Sequence, residues 1–74
     1  MELPPEGWTR FQVTRQEWET IHRHLTPVLL GEGLWQQGVR FGFNYEGEMV
    51  KVMIHPGGSG LDPNGLLDRL LGRM

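Results

Sequence analysis

Two runs of alternating apolar and polar residues meet at Glu46-Gly47, and this pattern constrains the fold more than any other feature of the chain. An acidic residue followed by glycine is typical of a tight two-residue hairpin turn, and such a turn fixes the register of its two strands. If Tyr45 lies opposite Glu48, large apolar residues oppose each other along the hairpin. The opposed pairs are then Phe43 with Val50, Phe41 with Val52, and Val39 with Ile54. These side chains share one face, and a slip of one residue would destroy the match.

A helix is predicted to begin at Arg15. Thr14 and Glu17 have the spacing of a capping box, in which two side chains satisfy unpaired amides at a helix start. Apolar residues then recur at three- and four-residue spacing, which predicts one buried stripe. The stripe consists of Trp18, Ile21 and Leu25. Because proline is poorly tolerated inside a helix, we expect a kink or a fresh start at Pro27, and the glycines that follow should end the element.

Two further elements complete a predicted β-α-β-β-α order. Alternation over 8–13 predicts a short strand with Phe11 and Val13 on its buried side. Asp62 followed by Pro63 is a favourable helix start, and a leucine-rich segment comes after it. The apolar stripe of this last helix consists of Leu66, Leu67, Leu70, Leu71 and Met74. The predicted fold class is α+β, a small antiparallel sheet with both helices packed on its apolar face.

The chain has 74 residues, no cysteine and a formal net charge of -2. One domain is expected, with 1–7 as a flexible lead-in and 8–74 as the α+β domain. Without cysteine, disulfides and cysteine-ligated zinc are excluded, which favours a reducing, cytoplasmic location and makes self-association a natural source of stability. The charge argues against non-specific coating of nucleic acid, and no segment suggests a leader or a membrane span.

The face of the sheet opposite the helices is predicted to be open, and it is the candidate binding surface. If the first strand joins the sheet with Phe11 and Val13 inward, this face gathers an aromatic ring, two flexible methionines and three cations with no acid. The predicted binding residues are Trp8, Arg10, Arg40, Asn44, Met49, Lys51 and Met53, with Gln12 beside them. This composition is typical of a partner-binding surface, and a solvated face whose cations protect its edges is the alternative.

An acidic protein surface is the first choice of partner, since it complements the predicted cations. The chain would then be a small regulator, adaptor or inhibitor without enzymatic activity, and a second copy of the chain is another candidate for this face. The alternative is an RNA-binding or RNA-cleaving module. Sheet-based RNA readers present two or three stacking aromatics, whereas the predicted face has Trp8 alone, because Phe41, Phe43 and Tyr45 have inward parity. Inverted parity would turn those three rings outward but would leave the core without strand hydrophobes.

No catalytic, metal-binding or cofactor-binding arrangement is evident, and we expect no cofactor. His22 and His24 are two apart on a helix and point in different directions, so together with His55 they make no metal site. His55 lies where a strand meets the glycine-rich loop 57–60, a place typical of catalytic or anion-binding groups. A general base needs a partner that positions it, and the sequence spacing indicates no such partner for His55. The loop lacks the lysine of a phosphate-binding loop, and the final glycine of a nucleophile elbow is absent after Ser59.

The last third of the chain carries one local resemblance. Its residues are Val50-Lys51-Val52-Met53-Ile54-His55-Pro56-Gly57, then Leu61, Gly65, Leu67, Leu70 and Leu71. This stretch resembles the strand-loop-helix end of HicA-type messenger-RNA interferases, small proteins with a double-stranded-RNA-binding-domain-like fold. That family begins with a helix and has its catalytic histidine in a Gly-Ser-His motif, where this chain reads Gly38-Val39-Arg40-Phe41-Gly42. The resemblance therefore implies a shared strand-turn-helix arrangement.

Overall fold

The computed structural model describes residues 7–72 and contains a three-stranded antiparallel sheet with two helices. In chain order the elements are β1 (Thr9–Thr14), α1 (Arg15–Leu29), a 3₁₀ turn (Trp35–Gln37), β2 (Arg40–Glu46), β3 (Met49–His55) and α2 (Pro63–Leu71). The predicted β-α-β-β-α order and the α+β class are confirmed. Residues 1–6 of the expected lead-in, and Met74 of the last apolar stripe, lie outside the described residues.

The central strand is β3, which pairs antiparallel with β1 on one side and with β2 on the other. Strand order was not predicted, because the β1–β3 pairing joins segments far apart in sequence. The apolar side of the sheet packs against both helices in one core. Its buried members are Val13, Trp18, Ile21, Leu29, Leu34, Val39, Val50, Val52, Ile54, Leu66 and Leu70. Strand and helix residues meet there because each element has one apolar side to bury.

The hairpin between β2 and β3 keeps the predicted faces but has a different turn. Glu46 pairs with Met49, so Gly47 and Glu48 form the turn, and the predicted turn at Glu46-Gly47 was wrong. The observed pairs are Tyr45 with Val50, Phe43 with Val52, and Phe41 with Ile54. Gly47 has a φ of 64°, and no described non-glycine residue has a positive φ. A two-residue turn with positive φ at its first position needs glycine there, so Glu46 joins the strand. Because the register differs by two residues, no side chain changes face.

The first helix begins as predicted but does not break at Pro27. The Thr14 hydroxyl accepts from the Glu17 amide at 3.0 Å, and the Glu17 carboxylate accepts from the Thr14 amide at 2.9 Å, which completes the capping box. The expected fresh start at Pro27 was wrong, since α1 runs unbroken to Leu29, whereas the alternative of a kink stays a prediction. Pro27 lies in the last turn, where only one intrahelical bond is lost, and Leu29, 5% exposed, holds that turn in the core.

The second helix also begins as predicted, with the Asp62 side chain accepting from the Asn64 amide and Pro63 in the first turn. Gly72, with a φ of 79°, ends it. A histidine joins the two helices, because His24 Nδ1 lies 2.8 Å from the Leu70 carbonyl oxygen and can donate to it. None of the helices among the described residues is long and apolar enough to cross a membrane.

Candidate binding surfaces

The seven predicted binding residues lie together on the face of the sheet opposite the helices, which we call the open face. Residues directly opposite one another in an antiparallel sheet point to the same side, so the open-face residues form rows with one member from each strand. The rows are Arg10, Met53 and Gly42; Gln12, Lys51 and Asn44; and Thr14, Met49 and Glu46. Arg40 lies at the end of β2 opposite His55, and Trp8 precedes β1 with matching parity. Gln12 and Asn44 are exposed, whereas Lys51 and both methionines are half-buried.

Trp8 packs over one end of the open face. Its ring lies 5.4 Å from the ring of His55, centroid to centroid, at an interplanar angle of 72°. Gly42 lies beneath both apolar side chains, since a Cβ there would be in ordinary van der Waals contact with the Trp8 ring at 4.0 Å and with Met53 Cε at 3.7 Å. Trp8 and Met53 therefore form a half-buried apolar patch at one end of the open face.

The charged residues of the open face are held in different ways. The observed register brings Glu46 onto this face, 3.4 Å from Lys51 Nζ, so the expectation of a face without acid was wrong. The Arg40 guanidinium lies 3.9 Å from the centroid of the Trp35 ring and donates to two nearby carbonyl oxygens at 2.9 Å. Arg10 and Lys51 border a shallow depression of about 440 Å³. Among the residues that the structure places on this face, cations still outnumber carboxylates, on a chain whose net charge is -2.

A second surface, which the sequence did not reveal, lies between α1 and β2. We call it the aromatic groove; it encloses about 250 Å³ and is lined by Trp18, Glu19, His22, Phe43 and Tyr45. Phe43 and Tyr45 have the predicted inward parity yet remain 49% and 51% exposed, because one helix covers β2 incompletely. The Trp18 and Phe43 rings lie 4.3 Å apart, and Trp18 Nε1 donates to the Tyr45 hydroxyl at 3.1 Å. These contacts fix the outer side of β2 against the helix.

Arg15 contacts the hairpin turn at the end of the aromatic groove. Its Nε donates to the Gly47 carbonyl oxygen at 2.9 Å, and its guanidinium lies 4.7 Å from the centroid of the Tyr45 ring. The first residue of α1 therefore holds the hairpin turn. The parity of Tyr45 was readable from the sequence, but this long-range contact was not, because it joins residues that are 32 positions apart.

A smaller apolar groove of about 280 Å³ lies at the other end of α1. It is lined by Leu25, Thr26, Leu29, Leu30 and Trp35. Leu30 is 61% exposed and Trp35 is 44% exposed. Trp35 was not singled out from the sequence, because the short 3₁₀ turn that carries it shows no apolar periodicity.

The glycine-rich loop uses its polar groups within the protein. The Gly57 amide donates to His55 Nδ1 at 2.9 Å, and the Gly58 amide donates to a carbonyl of the 3₁₀ turn at 3.2 Å. The Ser59 hydroxyl donates to the Pro56 carbonyl at 2.6 Å. His55 Nδ1 is thus an acceptor, which places the proton of its neutral ring on Nε2. Anion binding by these amides, or nucleophilic attack by Ser59, would first require these bonds to break.

The histidines are likewise separated from one another. Within residues 7–72 no three histidine or carboxylate side chains are grouped closely enough to hold a metal ion. His22 is exposed beside Trp18, with ring centroids 5.7 Å apart, while His24 faces α2 and His55 faces Trp8.

Comparison with known proteins returns no family model, no curated protein and no solved structure that matches this chain. The segment that resembles the HicA-type interferases does form a strand, a loop and a helix, namely β3, residues 56–62 and α2. In the described residues, however, β1 precedes α1. The case for a function therefore depends on the surfaces themselves.

Proposed function

We propose that this protein is a non-catalytic binding module that holds an acidic protein surface against its open face, as a small regulator, adaptor or inhibitor. The observation that carries the proposal is the one-sided packing of the sheet. Both helices bury the face of Val50 and Val52, whereas the face of Lys51 has no helix of the described residues packed on it. A sheet face on which no helix of residues 7–72 packs is available to a partner.

The chemistry of the open face defines the partner. Among residues 7–72, the open face has three cations and one carboxylate, Glu46, and this local excess of positive charge attracts an acidic surface. Trp8 and Met53 supply an apolar patch of the residue types that are enriched in interface cores. The matching partner therefore presents carboxylates around a small apolar contact. The absence of cysteine suits an encounter in the reducing cytoplasm.

RNA fits this face less well. Readers of single-stranded RNA stack two or three bases on exposed aromatic rings. Among the described residues, Trp8 is the one large aromatic ring of the open face, because Phe43 and Tyr45 point to the helix side and contact Trp18. The His55 ring lies edge-on against Trp8. RNA binding is therefore an outcome that the experiment must detect rather than the proposal itself.

The test compares two single charge reversals of equal size. Lys51→Glu alters the centre of the open face, and Arg23→Glu alters the exposed outer side of α1. Each protein is immobilised and exposed to lysate of its source with and without ribonuclease, and retained proteins are identified by mass spectrometry. The best candidate is then purified and titrated calorimetrically. Circular dichroism checks that both variants fold, and Lys51→Gln separates loss of charge from repulsion by Glu46.

The proposal predicts one purified protein that binds wild type and Arg23→Glu directly, binds Lys51→Glu at least tenfold more weakly and loses affinity as salt rises. Equal affinity for Lys51→Glu would refute it. Retention that ribonuclease abolishes would instead assign the open face to RNA.

A further inference from the structure

The strand β2 has one unpaired edge. The turn closes with Glu46 opposite Met49, so these two residues exchange main-chain hydrogen bonds, and every second residue of β2 back to Arg40 does the same with β3. The amides and carbonyls of Phe41, Phe43 and Tyr45 therefore point away from the sheet. Among the described residues, no main-chain hydrogen bond from outside the sheet reaches them. Such an edge is a template for another strand.

The exposed apolar side chains lie along this same side. Among the described residues the large hydrophobic side chains that stay exposed are Leu30, Trp35, Phe43 and Tyr45. Phe43 and Tyr45 belong to β2 itself, whereas Trp35 contacts Arg40 at the start of β2 and shares a groove with Leu30. An unpaired edge and the exposed apolar side chains thus coincide.

We propose that a second copy of this chain pairs antiparallel along β2, about a two-fold axis through Phe43. The sequence of β2, Arg-Phe-Gly-Phe-Asn-Tyr-Glu, is self-complementary in this register. Arg40 then faces Glu46 of the second copy, Phe41 faces Tyr45, and Phe43 faces its own equivalent. Opposite charges thus meet at both ends of the pairing, and rings meet between them.

This register also satisfies the backbone. It brings the outward amides and carbonyls of Phe41, Phe43 and Tyr45 opposite one another and forms on the order of six main-chain hydrogen bonds. An axis one residue earlier would place Val39 opposite Tyr45, but the Val39 amide already donates to the Leu34 carbonyl at 3.1 Å. The axis through Phe43 is thus the one that uses the whole edge.

The same arrangement covers the exposed rings. An axis perpendicular to the sheet leaves both α1 helices on one face, so the two aromatic grooves meet across the junction. The exposed parts of the four hydrophobic side chains amount to roughly 400 Å² per copy, about half of the roughly 800 Å² that a standard interface buries on each side. The rest of the buried area comes from the paired strand edges and the side chains that flank them. The open face lies on the other side of the sheet and stays free for its own partner.

A charge-reversal cycle tests the register. Sedimentation velocity and light scattering give the dimer dissociation constant of the wild type, Arg40→Glu, Glu46→Arg and the double variant. Each single variant places like charges opposite each other at both ends, so its dissociation constant should rise about tenfold, and the double variant should return to near the wild-type value. Arg23→Glu, on the outer side of α1, is the control for net charge.

Phe43→Lys supplies a second route, because a charge at the centre of the edge should abolish the dimer. Circular dichroism distinguishes that loss from unfolding. A wild type that stays monomeric up to submillimolar concentration would refute the proposal. A dimer whose single variants are unaffected, or whose double variant shows no recovery, would also refute it, because the interface would then lie elsewhere. None of these outcomes depends on whether the open face binds a partner.

Discussion

Replacing Gly57 by alanine should destabilise the fold far more than the same change at Gly60, three residues further along one loop. Both glycines have a left-handed backbone, with φ of 59° and 74°. A Cβ at Gly57 would lie 2.4 Å from the carbonyl carbon and oxygen of Gly38, whereas a Cβ at Gly60 would meet nothing within 4 Å. Gly60→Ala therefore measures the backbone cost, and the difference between the variants measures the close approach of two backbones.

The expected magnitudes follow from these two terms. A left-handed alanine costs about 1–2 kcal/mol, and the restricted unfolded chain offsets about 0.4–1 kcal/mol of this, so Gly60→Ala should lower the free energy of unfolding by at most about 1.5 kcal/mol. Gly57→Ala adds an overpacking cost of about 1–3 kcal/mol. At about 4–8 °C per kcal/mol for a domain of this size, the additional loss in Tm at Gly57 is roughly 5–25 °C.

Urea titration followed by far-ultraviolet circular dichroism measures both variants against the wild type. The comparison is made at low protein concentration, so that self-association does not contribute to stability. If Gly57→Ala and Gly60→Ala lower the free energy of unfolding equally, then the loop does not pack against Gly38 as described. The contact also bears on the proposed dimer, because Gly38 adjoins the 3₁₀ turn that carries the exposed Trp35.

Substitutions at three further positions test single contacts, each by urea titration. His24→Ala should cost about 1 kcal/mol, since it removes the bond to the Leu70 carbonyl; an unchanged midpoint would mean that the bond is not formed. Thr14→Ala should cost about 1 kcal/mol and Thr14→Ser much less, because serine keeps the hydroxyl that caps α1, and equal losses would contradict that role. Pro27→Ala should raise the free energy of unfolding by up to about 3 kcal/mol, because alanine restores the backbone amide and has the higher helix propensity; destabilisation would show that proline is required there.

The sequence predicted which face each strand residue occupies, because that assignment depends only on odd or even position. Phe41, Phe43, Val50 and Val52 share one side in the structure as they did in the prediction. The register was missed because it depends on where glycine must stand in the turn. From the sequence, Gly47 could be either the second or the first of the two turn residues. The positive φ at Gly47 in the structure fits the first position.

Exposure could not be predicted from parity. Phe43 has the same parity as the buried Val52, its neighbour in the sheet, yet half of it remains exposed. Burial of a strand residue depends on how far a helix reaches across the sheet, and that reach is set by long-range packing. For the same reason the sequence predicted the open face but not the aromatic groove, which requires α1 and β2 to lie side by side.

The two proposed surfaces have a physical relation, because β2 contributes to both. Pairing of two copies along β2 would join their open faces into one continuous six-stranded surface, with Arg40 and Glu46 of both copies at its centre. Those four charges would neutralise each other across the junction, so Lys51 of each copy would contribute the remaining positive charge near it. A partner with two acidic sites would then gain affinity through simultaneous contact with both copies. Phe43→Lys, which lies on the helix side of the sheet, should therefore weaken the binding of such a partner by dissociating the dimer without altering a residue of the open face.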